Sequence, residues 1–517
     1  MSEAQRSIVS GDRRRTCAEV HERSARAAAG FRALGAGVGD AVAILMRNSI
    51  EFLEATHALG RIGAYAVPLN WHLAPEEVAY VLEDCGAKAL VAHADLLPLV
   101  PGRLLGSLAL IVVDVPAVAA AYPAADQAPA PARALRWEDW LAAQAPLGEA
   151  SLPDARESII YTSGTTGRPK GVVRAPATPA QRAALSRMRA ETYRLDEGIR
   201  LLVPAPMYHA APNVFAQRGL EVAQTTVILP RFDPEDFLRR IEAERIDTVV
   251  AVPTMFIRLL RLPEEVRARH DLSSLRSVLH AAAPCPPQVK RAMIDWLGPI
   301  LHEWYGTTET SAVTRCDSQE WLARPGTVGR AIPGARVEIL DEAGRRLPAN
   351  TPGEIFMILE FMPDFTYRGR PEDRAAAGRD GMITGGDIGC LDEDGYLFVC
   401  DRKKDMVISG GVNIYPAEIE AAMIGLDGIE DCAVIGVPDA EYGEALHALV
   451  VARDGIAEDA IRRFLAGRLA RFKIPRSFEF RASLPRDDVG KLLKRRLRED
   501  VLARRGETAT PAGRGPA

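Results

Sequence analysis

The sequence predicts an α/β protein with a large N-terminal domain of doubly wound sheets plus a β-rich subdomain, and a small α+β C-terminal domain. Three observations support this fold class. Apolar strand-like runs alternate with amphipathic helical segments up to residue 297, which is typical of parallel sheets. Short strands separated by turns follow over residues 325–400. With 517 residues, the chain exceeds the size of a single compact core.

The elements of the first part follow from the spacing of apolar residues and from helix-ending signals such as Gly35. They are, in order, a helix at 17–35, a strand at 41–45, a helix at 50–60, a strand at 64–68, a helix at 75–85 and a strand at 89–91. A stretch rich in alanine and proline at 123–146 has little periodicity, so we expect a surface excursion there. The alternation resumes at 199–230 and continues with a helix at 234–244, a strand at 248–252, a helix at 254–262, a strand at 277–280 and a helix at 287–297.

The last part of the chain has a different organisation. A smaller α+β unit follows the charged segment at 401–405 and continues to about residue 500. Residues 507–517 are rich in glycine, proline and alanine, and we expect them to be disordered.

Composition and charge exclude several classes of protein. The net charge of −5, from 64 basic and 69 acidic residues, gives no overall attraction to nucleic acid or to an anionic membrane. The seven cysteines are scattered without metal-ligand spacing and are interpreted as buried thiols in a reducing compartment. No N-terminal signal and no apolar run of about 18 residues is found. We therefore expect a cytoplasmic protein without a membrane span.

The most informative segment is the loop at 161–171, Tyr-Thr-Ser-Gly-Thr-Thr-Gly-Arg-Pro-Lys-Gly. Its glycines allow a close approach of the backbone to a ligand, and its hydroxyls and Lys170 are suited to polyphosphate. Apolar residues flank it, so a strand-to-strand turn is expected, unlike a Walker loop, which opens a helix. The loop predicts an enzyme that uses a nucleoside triphosphate; an ordinary surface hairpin is the alternative.

Four further motifs accompany this loop, at 305–309 (Tyr-Gly-Thr-Thr-Glu), 384–387 (Thr-Gly-Gly-Asp), 401–405 (Asp-Arg-Lys-Lys-Asp) and 490–491 (Gly-Lys). In this order the set resembles the adenylate-forming superfamily of acyl-CoA synthetases, nonribosomal peptide synthetase adenylation domains and firefly luciferase, from about residue 12 to residue 500. The resemblance implies a domain at 1–401, a hinge at 402–404 and a mobile C-terminal domain at 405–506. It also implies ATP, Mg²⁺ and coenzyme A as substrates or cofactors, with no prosthetic group.

The resemblance assigns nucleotide-binding roles to particular residues. Thr308 would contact the α-phosphate, and Glu309 would hold Mg²⁺ as an oxygen ligand. The β- and γ-phosphates would be bound by Thr162, Ser163, Gly164, Thr165, Thr166, Gly167 and Lys170. The adenosine would be bound by Ala282, Ala283, Pro284, Tyr305, Gly306, Thr307, Asp387 and Arg402, with Tyr305 stacked on adenine and Asp387 and Arg402 on the ribose. Ala281 stands where the family commonly has glycine.

The C-terminal part contains residues that resemble those of the family's mobile C-terminal domain. Lys491 resembles the catalytic lysine that lies between the substrate carboxylate and the α-phosphate. Lys404 matches the hinge about which the small domain rotates between the two half-reactions. Ser409, Gly410 and Gly411 match the strand that lines the pantetheine tunnel of coenzyme A, where a side chain would take up the space.

The acyl pocket of relatives is lined by segments that correspond to 206–213 and 252–255. The matching residues are Tyr208, Asn213, Thr254 and Met255, with His209 as the catalytic, gating residue at the carboxylate end. A packed structural histidine is the alternative for His209. Neither segment contains lysine or arginine, so the resemblance favours a fatty acid or a bulky aryl or alicyclic monocarboxylate over a dicarboxylate.

Several alternatives stay open. The chain could load an acyl-carrier protein instead of coenzyme A, act as an inactive binding homologue, or catalyse a luciferase-like oxygenation. The segment at 172–176 replaces a Thr-His pair that often follows the phosphate loop in the family. The short N-terminus leaves room for a partner chain, so the expected binding partners are a carboxylic acid, ATP, coenzyme A and, as an option, a second copy.

Overall fold

The computed structural model describes residues 3–114, 118, 121–122, 130–148, 153–162, 168–453, 455–486 and 490–505. The strands up to residue 402 are β1 (Ser7–Ser10), β2 (Arg13–Thr16), β3 (Ala41–Leu45), β4 (Tyr65–Pro68), β5 (Ala87–His93), β6 (Ala109–Val113), β7 (Leu135–Arg136), β8 (Ile160–Thr162), β9 (Lys170–Arg174), β10 (Arg200–Val203), β11 (Thr225–Ile228), β12 (Thr248–Ala251), β13 (Ser277–His280), β14 (Leu301–Thr307), β15 (Ser311–Asp317), β16 (Arg330–Ala331), β17 (Ala335–Leu340), β18 (Gly353–Leu359), β19 (Phe365–Tyr367), β20 (Gly378–Arg379), β21 (Met382–Leu391) and β22 (Leu397–Arg402). The helices of this part are α1 (Cys17–Ala33), α2 (Ile50–Arg61), α3 (Pro75–Asp84), α4 (Gly102–Leu105), α5 (Trp137–Ala142), α6 (Pro179–Tyr193), α7 (Ala210–Val222), α8 (Pro234–Ala243), α9 (Pro253–Leu260), α10 (Glu264–Arg267), α11 (Pro287–Leu297), α12 (Ser318–Ala323) and α13 (Pro371–Ala376).

The remaining elements form a separate small sheet with three helices packed on it. They are β23 (Val407–Ser409), β24 (Val412–Ile414), α14 (Pro416–Ile424), β25 (Ile429–Asp439), β26 (Gly443–Ala452), α15 (Glu458–Ala466), β27 (Ser477–Phe480) and α16 (Lys494–Arg505). Buried Ile419, Leu446 and Ile461 form the core between this sheet and its helices. The α+β prediction is thus confirmed for the described residues. The boundary at 401, the hinge and the disordered tail stay predictions, and the tail lies outside the described residues.

A nine-stranded sheet is the largest in the described part of the chain, in the order β16-β15-β14-β13-β12-β10-β11-β1-β2. Its central strands β14, β13, β12, β10 and β11 run parallel, and β10 to β13 are short apolar runs that helices cover on both faces. The predicted doubly wound arrangement is therefore confirmed. Because parallel strands end at the same edge, the loops that follow β10, β12, β13 and β14 lie side by side.

A second parallel sheet, in the order β4-β3-β5-β6-β7, packs next to the first. Its helix α1 is capped by Thr16, whose hydroxyl accepts from the Glu19 amide while the Glu19 carboxylate accepts from the Thr16 amide. The predicted β-rich subdomain is also present, as the sheet β17-β18-β21-β20 with β22 beside β21. The strands β8 and β9 form an antiparallel pair, so the prediction that strands flank the loop at 161–171 is confirmed for its described residues.

Two sequence predictions about elements were wrong or incomplete. The stretch at 123–146 is not simply a surface excursion, because its described part contains α5, which buries Trp137 and Trp140. Trp140 lies so close to α1 that a Cβ atom on Gly30 would come within 2.3 Å of its ring. The surrounding alanines and prolines hid this pair of aromatic residues. The N-terminal strands β1 and β2 were not predicted. Residues 7–16 are mostly polar, and Ile8 and Val9 are the two buried apolar residues among them.

The described residues contain no helix that is long and apolar enough to cross a membrane. All seven cysteines are described, and all are free thiols. Four of them are buried as predicted, whereas Cys285, Cys390 and Cys400 are partly exposed.

Three enclosed histidines predict that the protein loses stability in mild acid. Burial lowers the pKa of His57, His93 and His302 to about 4. Between pH 6.5 and 4 the unfolded chain binds these protons and the folded chain does not, so stability is present above the unfolded pKa and is lost as the pH falls. Lowering the pH from 7 to 5 should therefore reduce the free energy of unfolding by about 2 kcal/mol for each of these histidines.

Urea denaturation at the two pH values measures this loss. Replacing His57 by glutamine should reduce the loss of unfolding free energy between the two pH values by about the amount that one histidine contributes. A stability that is equal at pH 7 and pH 5 in the parent protein would contradict the prediction.

Candidate active site

The described part of the phosphate loop consists of its two flanking strands. Thr162 pairs with Lys170 across β8 and β9, while Ser163, Gly164, Thr165, Thr166 and Gly167 lie outside the described residues. Lys170 Nζ is 2.9 Å from a carboxylate oxygen of Asp373 and lies over the ring of Tyr367, 5.2 Å from its centroid. The lysine that the sequence offered as a phosphate ligand therefore has a carboxylate partner within the protein.

Gly171 has a packing role that the sequence analysis did not assign. A Cβ atom there would lie 2.8 Å from the ring of Tyr161. The Tyr161 hydroxyl in turn donates to Asp84 over 2.6 Å, which ties β8 to α3. Glycine is needed at this position because the Tyr161 ring of the same hairpin occupies the space of a side chain. The glycine is therefore explained by packing and is not evidence that a ligand binds there.

The motif at 305–309 forms the end of β14 and the turn into β15. Gly306 is required there, because a Cβ atom would lie 1.8 Å from the Ser311 carbonyl oxygen. The Tyr367 hydroxyl donates to Glu309 Oε1 over 2.9 Å. Thr308 and Glu309 thus lie in a tight turn at the carboxyl end of a central strand, where open α/β sheets bind ligands.

The side chain of Arg174 binds the backbone of this turn, and the sequence analysis did not identify it as a site residue. Its Nη2 atom donates to the carbonyl oxygens of Thr308 and Glu309, each over 2.6 Å, and its Nη1 atom donates to that of Pro363 over 3.1 Å. Burial lowers the pKa of Arg174, and the Glu157 carboxylate at 3.5 Å counteracts this effect. The sequence marked this position as a departure from the family, but its partners, far along the chain, could not be seen.

Buried Asp387 is the centre of a partly exposed polar cluster. The Tyr305 hydroxyl donates to Asp387 Oδ2 over 2.7 Å, and Arg402 Nε is 2.8 Å from Asp387 Oδ1. Asp387 and Arg402 are direct neighbours across β21 and β22. Burial and the neighbouring Asp387 carboxylate raise the pKa of Tyr305, so its hydroxyl stays a donor. The structure brings these three predicted nucleotide residues together, with Tyr305 anchored through its hydroxyl group.

The predicted adenine segment directly follows β13. Ala281 is buried, whereas Ala282 and Pro284 are exposed at the sheet edge. Ala282 has a φ of 75°, a left-handed conformation that costs a residue with a side chain about 1 kcal/mol. The chain therefore keeps a strained turn at this position, after the strand that neighbours β14 and its motif at 305–309.

The predicted acyl-pocket residues follow β10 and β12. Tyr208, Asn213 and Met255 are buried, and His209 precedes the first turn of α7. The Asn213 side chain donates to the Met207 carbonyl oxygen over 3.0 Å, so its amide group stabilises the loop.

A second asparagine, which the sequence analysis did not single out, supports the same loop. Asn48 Oδ1 accepts from the Met207 amide over 2.8 Å, and Asn48 Nδ2 donates to the carbonyl oxygens of Ala205 and Leu229 over 2.9 and 3.0 Å. Buried Asn48 thus joins the second sheet to the ends of β10 and β11.

The loop that carries Lys491 lies against the large domain. Gly490 has a φ of 80°, and a Cβ atom there would lie 2.1 Å from Thr254 Cγ2. Two further contacts join the domains: Arg261 donates to the Glu430 carbonyl oxygen, and the Gln288 side chain donates to that of Ala421 over 2.9 Å. The backbone next to Lys491 is thereby placed at the edge that carries the candidate acyl residues.

The other C-terminal candidates lie away from this contact. Lys404 is exposed after β22, and Ser409, Gly410 and Gly411 form the end and turn of the β23–β24 hairpin. Gly410 and Gly411 have φ values of 58° and 80°, and the Gly410 amide donates to the Tyr442 carbonyl oxygen over 2.9 Å. This hairpin packs within its own domain.

The donor set at Glu309 fits Mg²⁺ bound together with a phosphate ligand. Within the described ranges, no group of three or more histidine, cysteine or acidic residues could hold a metal. Mg²⁺ is commonly bound by one or two carboxylates plus substrate phosphates and water, and it does not need such a group. Tyr367 uses one carboxylate oxygen of Glu309, which leaves Oε2 as the available oxygen ligand.

Comparison with known proteins agrees with this geometry. The AMP-binding enzyme family matches residues 2–358, and its C-terminal domain family matches residues 418–491. Feruloyl-CoA synthase from Amycolatopsis sp is 37% identical and covers 93% of both chains. The long-chain-fatty-acid–CoA ligase FadD13 from Mycobacterium tuberculosis is 34% identical over 96% of this chain and 94% of its own. The ATP-bound structure of MatB from Rhodopseudomonas palustris has a TM-score of 0.81 at 30% identity, over 97% of this chain and 96% of its own.

The two family matches cover the nine-stranded sheet and most of the small C-terminal sheet, and the motifs at 161–171, 305–309 and 490–491 lie within them. This chain belongs to the family of AMP-binding, adenylate-forming enzymes.

Proposed function

We propose that this protein is an ATP-dependent carboxylic acid:CoA ligase, which forms an acyl adenylate and then an acyl-CoA thioester. The observation that carries the proposal is the contact of Gly490 with Thr254. It places the backbone of a lysine-bearing loop at the edge where four parallel strands end. The candidate acyl residues and the nucleotide candidates at 282–284 and 305–308 lie at the ends of these same strands.

In the proposed first half-reaction, a carboxylate oxygen of the acid attacks the α-phosphorus of ATP. The bond from that phosphorus to the bridging oxygen breaks, and pyrophosphate leaves. Two anions must approach each other, so Lys491 would lie between them as the neutralising cation. A charge pair at about 4 Å is worth roughly 4 kcal/mol at an effective dielectric constant near 20, or about a thousandfold in rate.

The other proposed roles follow from the positions described above. Thr308 would donate its hydroxyl to the α-phosphate, and Asp387 would accept from the ribose hydroxyls. Glu309 would hold Mg²⁺, which supplies positive charge to the phosphate oxygens when bound. Thr162, Lys170 and the hydroxyls of the loop between them would bind the phosphates that leave.

In the proposed second half-reaction, the small domain rotates about Lys404. The thiolate of coenzyme A attacks the acyl carbon, the bond from that carbon to the AMP oxygen breaks, and AMP leaves. Glycines at 410 and 411 would leave room for the pantetheine arm. The free cysteines support a reducing compartment such as the cytoplasm as the place of action.

We propose a fatty or a bulky aryl or alicyclic monocarboxylate as the acid. Tyr208 packs edge-on to Trp71 at 6.2 Å, and Met255 belongs to a neighbouring apolar core. No lysine or arginine occurs in the segments at 206–213 and 252–255, so no cation from them would pair with a second carboxylate. The names of the two relatives, a feruloyl-CoA synthase and a long-chain-fatty-acid ligase, support the same range of acids.

A pyrophosphate-release assay tests this function. The enzyme is supplied with ATP, Mg²⁺ and a panel of fatty, cinnamic-type and alicyclic acids, with and without coenzyme A, and the thioester is identified by mass spectrometry. We expect release that depends on the acid and turns over only with coenzyme A. Release that depends on none of the acids would refute the ligase, and turnover with an acyl-carrier protein alone would assign a different acceptor.

A further inference from the structure

Arg486 forms a bridge between a strand of the small domain and the residue that precedes Lys491. Its Nε and Nη2 atoms donate to Oδ2 and Oδ1 of Asp431 over 2.9 and 2.6 Å, and its Nη1 atom donates to the Gly490 carbonyl oxygen. Arg486 and Asp431 are about a quarter exposed, with side-chain exposures of 27% and 24%. A two-point pair between arginine and carboxylate fixes the orientation of the guanidinium group as well as its position.

The base of this loop is closed by backbone contacts. Arg486 and Leu492 form an antiparallel bridge, and the Leu493 amide donates to the Pro485 carbonyl oxygen over 3.1 Å. The Gly490 carbonyl group belongs to the peptide unit that contains the Lys491 nitrogen. Because a peptide unit is planar, holding its carbonyl oxygen sets the direction in which the chain enters Lys491.

Gly490 is therefore held from two sides. Thr254 of the large domain touches it on one side, and Arg486 of the small domain binds its carbonyl oxygen on the other. The residue next to Asp431 also contacts the large domain, because Arg261 donates to the Glu430 carbonyl oxygen. The start of β25 thus contacts both the large domain and the arginine that binds the lysine loop.

We infer that the Arg486–Asp431 pair is a positioning device for Lys491 in the first half-reaction. The inference rests on the proposed function, since it assumes that Lys491 acts in adenylation. When the small domain contacts the large domain through Glu430, Asp431 orients Arg486, and Arg486 fixes the peptide unit before Lys491. The second half-reaction needs neither Lys491 nor this arrangement, so the pair should matter for one half-reaction only.

The experiment measures the two half-reactions separately in the full-length protein, for Arg486→Gln, Asp431→Asn and the double variant. Adenylation is followed by pyrophosphate release, and thioester formation by supplying the acyl adenylate and coenzyme A. We expect each single variant to lower the rate constant of adenylation by about tenfold to a hundredfold, with unchanged KM for ATP and acid. Thioester formation should stay within about twofold, which also shows that the variants are folded.

The double variant and two comparison variants sharpen the test. The double variant should be no slower than Arg486→Gln, because one pair is lost in each case. Arg486→Lys keeps the positive charge but loses the two parallel guanidinium donors to Asp431, so most of the loss in adenylation rate should remain. Arg481→Gln breaks a similar pair in the same domain, with Glu479 at 2.7 Å and Asp500 at 2.6 Å, and should leave both half-reactions unchanged.

Two results would overturn the inference: adenylation by Arg486→Gln within twofold of the parent, or an equal loss in both half-reactions. Lys491→Ala is measured beside these variants to separate the inference from the proposed function. If Lys491→Ala loses adenylation and Arg486→Gln keeps it, only the positioning role is wrong. If Lys491→Ala also keeps adenylation, the proposed role of Lys491 is wrong, and the inference falls with it.

Discussion

Replacing Lys491 by alanine is expected to lower acyl-adenylate formation by about a thousandfold and to leave thioester formation from supplied acyl adenylate unchanged. The reason is that the first step brings together two anions, whereas the second step does not involve the phosphate as the attacked centre. Gly490, next to Lys491, contacts Thr254 in this structure, and this placement agrees with the role proposed for Lys491 in the first step.

Separate assays of the two half-reactions measure this effect. Lys494 is the matched control, because it lies three residues further along, is largely buried and pairs with Glu420 at 2.8 Å. Replacing Lys494 should reduce the folding stability and should not separate the two half-reactions. An equal loss of both steps in Lys491→Ala would contradict the alternation of the small domain between two positions.

Replacing Asp387 by alanine should weaken ATP binding by at least about a hundredfold. A carboxylate that accepts from both ribose hydroxyls makes two charged hydrogen bonds, each worth about 1.5 to 3 kcal/mol. The substitution also leaves Tyr305 and Arg402 without the acceptor that both now use. Isothermal titration with ATP measures the change, and the KM of the acid should stay the same.

Tyr305→Phe separates the two contributions in this prediction. It removes the hydroxyl bond to Asp387 and keeps the ring and the carboxylate, so we expect a loss of ATP affinity of roughly tenfold or less. If Asp387→Ala and Tyr305→Phe weaken ATP binding equally, Asp387 acts through the protein and not on the ribose. A normal affinity in Asp387→Ala would remove it from the nucleotide site.

Much of the fold could be predicted from the sequence, because local signals and long-range packing agree there. The strand at 41–45, the strand at 277–280 and the helix at 287–297 match the structure in both bounds. They combine strong periodicity with clear end signals. The helix α5 was not predicted, because its burial depends on the packing of Trp137 and Trp140, and Trp140 lies against the distant helix α1. Local sequence does not show this packing.

For the site, the sequence identifies motifs better than contacts. The order of parallel strands explains why segments near 208, 254, 282 and 308 lie at one edge. The partners of Arg174 and Arg486 are carbonyl groups and one carboxylate each, and none of these contacts is marked by spacing or residue type. The same holds for the hydrogen bond from the Tyr305 hydroxyl to Asp387, while the stacking of the Tyr305 ring on adenine stays a prediction. The assigned catalytic and binding roles stay predictions.

The position of β1 has a consequence for the order in which this enzyme is made. Ser7–Ser10 lies between β2 and β11 in the nine-stranded sheet, and Ser7 pairs with Thr225. After leaving the ribosome, β1 must therefore wait until β11 has been synthesised before it finds its second neighbour. Until then the β1–β2 hairpin has an open edge on one side. A slow stretch of translation between these two strands would prolong the exposure of that edge to other nascent chains.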